Sequence, residues 1–446
     1  MRKPSRLQVI AELVRTGHID AFVSAAHELE AADLGEVLSS LDDTERLVAV
    51  SALPPELSGE ALAEMPEEDH AEDTLAAMHP GRAAEIVGEL ADDDAADLLG
   101  QMDEHTAERI LAEVEAPERA DVEKLLRYDE ESAGGLMTTR LVTVPDNVTA
   151  AEAIEAIRRQ SEEAEGFIQV YVTDRDSHLQ GIVPLKGLVT SPPERPVREF
   201  MEDADIRVHP EEGQEHVADL MSRYNLLEVP VVDGNGRLLG RVTFDDVIDV
   251  VEAEATEDLL KFGGVSADED IAARWTAAVR SRLPWLYVNL ITAFMAASVV
   301  GIFQNTIARL TVLALWMPVI AGMGGNAGTQ ALAVTVRRLA LGLVPKGQGM
   351  RVVAKEVVVG LINGVGNGLV VMLVAMLFGL GIRFGVIVFL AMTCNLMVAG
   401  FAGAFVPILL EKFKVDPAVA SSIFVTTFTD MIGFVLLLGL ATKFLL

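Results

Sequence analysis

DPAVASSIFVTTFTDMIGFVLLLGLATKFLL, residues 416–446, is an apolar run long enough to cross a bilayer, yet it carries a carboxylate in its interior. A helix opening at Asp416 places Asp430 about 21 Å further along the axis, near the middle of a hydrocarbon layer roughly 30 Å thick. A charge at that depth costs at least about 2.5–3.5 kcal/mol on insertion scales, so it must face water or a partner. No cation in the neighbouring apolar segments is placed to neutralise it, which makes a bound metal ion the natural counter-charge. The competing reading is a protonated Asp430 hydrogen-bonded between helices. Ser421, Ser422, Thr426, Thr427 and Thr429 add hydroxyls to the same segment, where helix packing is the better single role.

Upstream lie four further apolar segments, at 285–306, 310–336, 352–379 and 383–410, each meeting the roughly 20-residue requirement for a span. With the last segment they predict an all-α transmembrane domain of five helices over residues 284–446. Arg337, Arg338, Lys346, Arg351 and Lys355 follow the second span, and Lys412 and Lys414 follow the fourth. The positive-inside rule therefore puts those loops and everything N-terminal in the cytoplasm, with the C-terminus outside the cell's inner (plasma) membrane. In the second span, MPVIAGMGGNAGTQ (317–330) combines Pro318 with four glycines, and the expectation is a loosened or broken helix. Irregular backbone at membrane depth survives only where protein buries it or it lines a cavity. The carbonyls of Gly324, Gly325 and Gly328 and the side chain of Asn326 would then be oxygen ligands, which suit a hard cation such as Mg²⁺ keeping several waters. In the third span Gly360, Gly364 and Gly368 recur every four residues beside Asn363 and Asn367, a pattern whose default reading is close helix packing. Asn395 in the fourth span carries the same ambiguity.

The rest of the chain is electrically a different object. Residues 284–446 hold ten basic and four acidic side chains, a charge of +6, so a surplus of −38 falls on residues 1–283 of a chain whose total is −32. Such a surplus repels itself and calls for cations or a basic partner; nucleic acid is disfavoured. The single cysteine, Cys394, excludes an intrachain disulfide and a cysteine-based metal cluster. The N-terminus, MRKPSRLQVIAELVRTGHID, has no unbroken apolar core or small-residue cleavage site and reads as mature cytosolic protein.

Residues 1–130 alternate leucine- and alanine-rich segments (LGEVLSSL, LVAVSAL, AAEIVGEL, AADLLGQM, AERILAEV) with acidic or proline-containing turns about every dozen residues. That period predicts an all-α superhelical N-domain of short stacked helices. From residue 131 strand-like runs (RLVTV, FIQVYVTD, LQGIVPL) surround a helix over TAAEAIEAIRRQ, and the order returns in FMEDADIRV, EHVADLMSRYN, LEVPVVD and RLLGRVT. Met137 matches Met201, and Leu179–Val183 matches Leu238–Val242, so the segment is an internal duplication of about 60 residues. Residues 252–283 read as an amphipathic connecting helix, a turn and a basic approach to the bilayer.

The duplicated unit, with its LM…V start, VPVVD strand and LxGxVxxxDV end, resembles a tandem pair of CBS (cystathionine-β-synthase) modules, at 131–198 and 199–251. That resemblance implies an α/β regulatory pair that binds adenine nucleotides such as ATP, or metal ions. Taken with GMGGNAGTQ and DPAVASS…TTFTD, the whole chain resembles the MgtE family of Mg²⁺ channels. The resemblance implies a non-enzymatic homodimer in the lipid bilayer, with a pore on its two-fold axis that carries Asp430 as the central carboxylate, Asn326 and its glycines beside it and Asp416 at the cytosolic mouth. It implies closure when Mg²⁺ bridges the N-domain, the CBS pair and the connecting (plug) helix. The acids placed for this are Asp93, Asp94 and Asp97 in ELADDDAADLL, and Asp245, Asp246, Asp249, Glu252, Glu254, Glu257 and Asp258 in FDDVIDVVEAEATED.

Two rival readings are weaker. Two intramembrane aspartates resemble an aspartyl protease of the bilayer, but Asp416 and Asp430 are too far apart on one helix to share a proton, and no GxGD pattern occurs. A nucleotide-regulated transporter of Co²⁺, Ni²⁺ or Mn²⁺ would use Val172–Asp174 and Phe244–Asp246 to hold a ribose, and oxygen ligands alone do not separate these ions.

Overall fold

The computed structural model describes residues 5–66, 69–160, 166–263, 265, 275–340, 343–345, 347–413 and 421–446, without the side chains of Asp258 and Ser421. The chain divides into two compact units, Met1–Glu254 and Ala255–Leu446.

Among the described residues the first unit opens with ten helices of 6 to 10 residues, α1–α10, over residues 6–125. Helices this short are marginal alone, and each buries its apolar stripe on the helix after next. Thus α3 (Ala31–Ser39) packs on α5 (Pro55–Ala63), α5 on α7 (Pro80–Val87) and α7 on α9 (Glu104–Leu111). A second row is formed by α4 (Asp43–Ala52), α6 (Ala71–Ala76) and α8 (Asp92–Gly100). Local chemistry sets where the helices begin: Ser5 with Gln8 and Asp42 with Glu45 close capping boxes. Proline occupies the first turn of α5 and α7. This is the expected superhelix.

The α/β part follows. β1 (Thr143–Pro145) lies parallel to β2 (Gln169–Thr173) after the crossover helix α11 (Ala150–Gln160), and β2 is antiparallel to β3 (Leu179–Pro184). In the second repeat α13 (Gln214–Tyr224) precedes the antiparallel pair β4 (Glu228–Val232) and β5 (Leu238–Thr243). Two expected strands shrink. RLVTV leaves only three residues in β1, and FMEDADIRV pairs only at the isolated bridges of Glu202 and Val208. The reason is an exchange between repeats: Thr138, at the start of the first, bridges Arg241 in β5, while Glu202, at the start of the second, bridges Ile182 in β3. Glycine is required at both crossings. A Cβ at Gly240 would stand 2.6 Å from the backbone oxygen of Thr138, and one at Gly181 would stand 2.7 Å from that of Glu202, with Met137 and Met201 packed beside them.

One continuous apolar core joins the N-terminal helices to the second repeat, from Ile10 and Leu38 through Leu99 to Val231 and Val250. The first repeat keeps its own core around Val144, Val170 and Val183. α14 (Phe244–Phe262) then runs unbroken through the expected end of the second CBS module at 251 and into the connecting segment, so every acid from Asp245 to Asp258 belongs to one helix.

The second unit contains α15 (Trp275–Ile302), the short α16 (Gln304–Arg309), α17 (Leu313–Ala340), α18 (Gly349–Leu377), α19 (Gly381–Lys412) and α20 (Ser421–Phe444). Four of the five long helices have the length and apolarity of membrane spans, with mean hydropathy of 1.8 to 2.1 in their best windows. α17 matches them in length at 28 residues but is diluted by Gly, Asn, Thr and Gln. α19 is the central helix, packed by α17, α18 and α20. Gly360, Gly364 and Gly368 of α18 lie against Leu396, Thr393 and Phe389 of α19, and a Cβ at Gly364 would stand 2.8 Å from Thr393 Cα. Close packing is therefore their role.

The expectation of a broken second span is not met. α17 is continuous through Pro318 and all four glycines. Proline forfeits one helical hydrogen bond and each glycine about 1 kcal/mol of propensity, but burial of α17 against α19 and α20 outweighs both. The carbonyls expected to be freed at Gly324, Gly325 and Gly328 lie within helical backbone.

Candidate functional site

α17 and α20 meet through small residues. Gly324 approaches Thr429, Gly325 approaches Thr426 and Gly328 approaches Val425, with the glycine Cβ positions 3.3 Å from Thr429 Cβ and 3.7 Å from Thr426 Cγ2 in the first two cases. The glycines bracket Asn326, and their α20 partners immediately precede Asp430, so these two polar residues occupy the same stretch of a single helix–helix contact. Asp430 is half-buried, Asn326 exposed. Among the described residues no cation lies within ion-pairing distance of Asp430. By contrast Glu356 of α18, buried in the same unit, stands 3.9 Å from Arg338. The threonines of α20 spend their hydroxyls on their own helix: Thr426 donates to Ser422 O at 2.9 Å, Thr427 to Ile423 O at 2.7 Å and Thr429 to Thr426 O at 2.9 Å. What the contact leaves open is one carboxylate. Asp416 lies outside the described residues.

The soluble unit assembles a second site where the N-terminus of α8 faces the N-terminus of α14. Asp93, Asp94, Asp245 and Asp246 come together there, joined by Glu64. Burial, then the charges of Asp246 and Asp94, hold Asp93 well above the ordinary carboxylate range. Burial, then Glu64 and Asp245, pushes Asp94 up to about 6. Burial pushes Asp246 to about 7, against the hydroxyl of Thr243, which donates to its Oδ2 at 2.5 Å. Asp249 is raised by burial and by Glu252 and Asp245. Raised carboxylates packed together are the signature of a site short of positive charge. Among the described residues no three carboxylates, histidines or cysteines are disposed as ligands of one ion.

The other predicted acids do not converge on this cluster. Glu254 accepts from Gln214 Nε2 at 3.1 Å. Glu257 is paired with Lys261 one turn along α14, and Glu252 is exposed. Asp97 lines a separate 230 Å³ cavity with Tyr128, Glu130 and Gly135. Asp258 has no described side chain.

Asp92, overlooked in the triple-aspartate run, is buried at 3% exposure. Its carboxylate accepts from Thr138 Oγ1 at 2.5 Å, Thr139 N–H at 2.8 Å and Thr139 Oγ1 at 2.5 Å, with Arg140 Nε at 4.0 Å. It anchors α8 to the start of the first α/β repeat. Only the phase of α8 distinguishes it from its neighbours, and sequence carries no sign of that docking.

Of the positions expected to hold a ribose, Asp174 is committed to its own turn, its Oδ1 accepting from Asp176 N–H and His178 N–H, both at 2.9 Å. Asp245 is exposed and open.

Similarity to known proteins runs over nearly the whole chain. The family model MgtE, described as a divalent cation transporter, matches residues 317–440. The model of the MgtE intracellular N domain matches 29–131, and the CBS domain model matches 133–193 and 197–253. The magnesium transporter MgtE of Thermus thermophilus is 34% identical over 97% of this chain and 97% of its own length. That of Enterococcus faecalis is 32% identical over 98% of this chain and 96% of its own. Among solved structures, the cytosolic domain of the Mg²⁺ channel MgtE in complex with ATP superposes with a TM-score of 0.51 at 34% identity, covering 54% of this chain and 98% of that one.

Proposed function

Because this chain belongs to the MgtE family of divalent cation transporters, we propose that Mg²⁺ is its cargo, that Asp430 is the carboxylate the ion meets within the membrane, and that the same ion closes the path from the acidic cluster. The observation that carries this reading is a half-buried carboxylate on an apolar helix with no cation beside it among the described residues. Such a group is costly unless a cation neutralises it. Asn326 lies in the same helix–helix contact and supplies a further oxygen, while Asp416 is assigned to the cytosolic mouth. With α17 unbroken, Gly324, Gly325 and Gly328 serve the path by letting α17 and α20 approach rather than by offering free carbonyls. Two copies related by a two-fold axis would set two Asp430 side chains around one hydrated ion. In this homodimer the soluble units face the cytoplasm and the C-termini lie outside.

Closure follows from electrostatics. When internal Mg²⁺ is scarce, Asp93, Asp94, Asp245 and Asp246 repel one another and favour separation of α8 from α14. When it is abundant, the ion binds across them and stabilises the packed arrangement by its differential affinity for that state. The signal has a mechanical route, since α14 is continuous from Asp245 to Phe262 and Phe262 packs on Leu332 and Val336 of α17. Glu252, Glu254, Glu257 and Asp258 belong to that route. An adenine nucleotide at the CBS pair is a second regulatory ligand; the ATP complex of the relative supports it, and Asp245 rather than Asp174 is the open acceptor. Nucleotide-regulated transport of Co²⁺, Ni²⁺ or Mn²⁺ is the alternative reading.

The test is flux of each divalent ion into liposomes by wild type and Asp430→Ala. Loss of even a supporting group around a metal site costs about 10–100-fold, so at least that loss of Mg²⁺ flux is expected. A variant that carries Mg²⁺ normally would overturn the assignment.

A further inference from the structure

Behind the contact of α17 with α20 lies a polar side chain that the proposed path does not use. Asn395 of α19 is fully buried, at 0% exposure. Its Nδ2 donates to Ile320 O of α17 at 3.0 Å, the carbonyl that α17 also offers to the N–H of Gly324 by helical geometry. Its Oδ1 is buried with no hydrogen-bond partner among the described residues. Glycines close on the carboxamide from two sides. A Cβ at Gly324 of α17 would collide with Nδ2, and a Cβ at Gly433 of α20 would stand 2.9 Å from Nδ2 and 3.2 Å from Oδ1. Gly324 is two residues before Asn326. Gly433 is three residues after Asp430, on the same face of α20.

The carboxamide is therefore a wedge between two helices that each carry one polar residue of the path. An apolar side chain of similar size would fill the space without leaving a buried acceptor unsatisfied, a penalty that packing alone gives no reason to retain. We propose that Asn395 is a positioning residue for ion transport, tying α17 to α19 and fixing the spacing of α17 from α20 so that Asn326 and Asp430 stay in register. The proposal rests on the reading of these two residues as the path. It goes beyond that reading by assigning the geometry to a residue that touches neither the ion nor the surface.

The test uses the full-length protein in liposomes, with flux measured over a range of Mg²⁺ and of Co²⁺ concentrations for wild type, Asn395→Leu and Asp430→Ala. Asn395→Leu keeps the branched outline, with bulkier methyls, and removes the hydrogen bond. Supporting groups of metal sites typically change affinity about 10–100-fold, so the half-saturating Mg²⁺ concentration should rise by that factor and the discrimination between Mg²⁺ and Co²⁺ should narrow, while maximal flux stays near wild type. A folded, monodisperse Asn395→Leu protein with unchanged half-saturation and discrimination, whatever its maximal flux, overturns the proposal and leaves Asn395 as a packing group. Should that variant fail to fold, Gly433→Ala presses on the same carboxamide from α20. The same rise in half-saturation supports the proposal, and an unchanged value overturns it. Normal transport by Asp430→Ala would sink the reading of Asp430 and with it the register assigned here, whereas unchanged half-saturation in Asn395→Leu beside a defective Asp430→Ala would sink the role of Asn395 alone.

Discussion

Where α8 meets α14, burial first and neighbouring carboxylates second raise several acids, with Asp94 near 6 and Asp246 near 7, whereas α20 carries the lone Asp430 with no cation beside it among the described residues. Both places call for positive charge, but for different reasons. In the cluster the demand comes from burial and from crowding together, so it is shared, graded and open to competition from protons. In the membrane unit it comes from isolation at depth, so it rests on one residue. The first arrangement suits a sensor whose occupancy varies with ion concentration, and the second suits a step that every transported ion must pass.

Separating the two demands gives the largest expected effect after loss of Asp430 itself. The double variant Asp94→Asn, Asp246→Asn removes crowding without touching the membrane unit. The internal Mg²⁺ concentration that half-inhibits current should rise about 10–100-fold, the range typical of lost metal-site groups, while current at low internal Mg²⁺ stays at the wild-type level. Patch-clamp titration measures both. If the double variant also lost current at low Mg²⁺, the two regions would not be separable and the division of labour would fail.

A smaller effect comes from protons. Asp94 and Asp246 titrate at about 6 and about 7 when folded, against an ordinary value of 3.8, so the packed cluster binds more protons than the unfolded chain. Its stabilisation is complete below about pH 4 and is lost as pH rises through 6 and 7. Above that range repulsion is strongest and Mg²⁺ has most to neutralise; below it, protons occupy the carboxylates. Protease resistance of the metal-free protein should therefore fall between pH 5.5 and 8. Mg²⁺ should restore resistance at pH 8 and change it little at pH 5.5, where protons already occupy the carboxylates. A pH-independent requirement for Mg²⁺ would remove the crowding argument.

The sequence makes some of this legible and conceals the rest for physical reasons. Stacked short helices, the duplicated α/β unit and the long apolar helices follow from periodicity, which reports the face each segment buries. Asp430 is legible because depth in an apolar segment is a local property. Met137, Met201, Gly181 and Gly240 reveal the duplication, but not that each methionine packs on the other repeat's glycine, because pairing partners are not written in local pattern. In MPVIAGMGGNAGTQ the proline and glycines are breakers by propensity, yet the tertiary contacts with Thr426, Thr429 and Asn395 keep α17 helical. The pairing of Glu257 with Lys261 was readable from its i, i+4 spacing and counts against Glu257 as a free ligand.

The smallest predicted effect sharpens the comparison inside α8 itself. Asp92 and Asp94 are two residues apart, but Asp92 has its acceptors filled by Thr138 and Thr139, while Asp94 faces other acids. Asp92→Asn keeps the shape and replaces one acceptor oxygen with a donor. With the amide oxygen on the Thr139 side its N–H and hydroxyl remain satisfied, and the Thr138 hydroxyl can turn to accept from the new Nδ2, so what the variant loses is the negative charge that strengthens these bonds beside Arg140. Hydrogen bonds to a charged group contribute about 1.5–3 kcal/mol against about 0.5–1.5 kcal/mol for a neutral pair, and the variant should lower the apparent melting temperature of the full-length protein in detergent. Because the Asp92 carboxylate is already satisfied by protein donors, it offers little to a metal ion, and the half-inhibitory Mg²⁺ concentration should move far less than in the Asp94, Asp246 double variant. If Asp92→Asn shifted that concentration as far as the double variant does, docking of α8 and metal sensing would be one interaction, and the boundary between structural and sensing carboxylates would have to be redrawn to include Asp92.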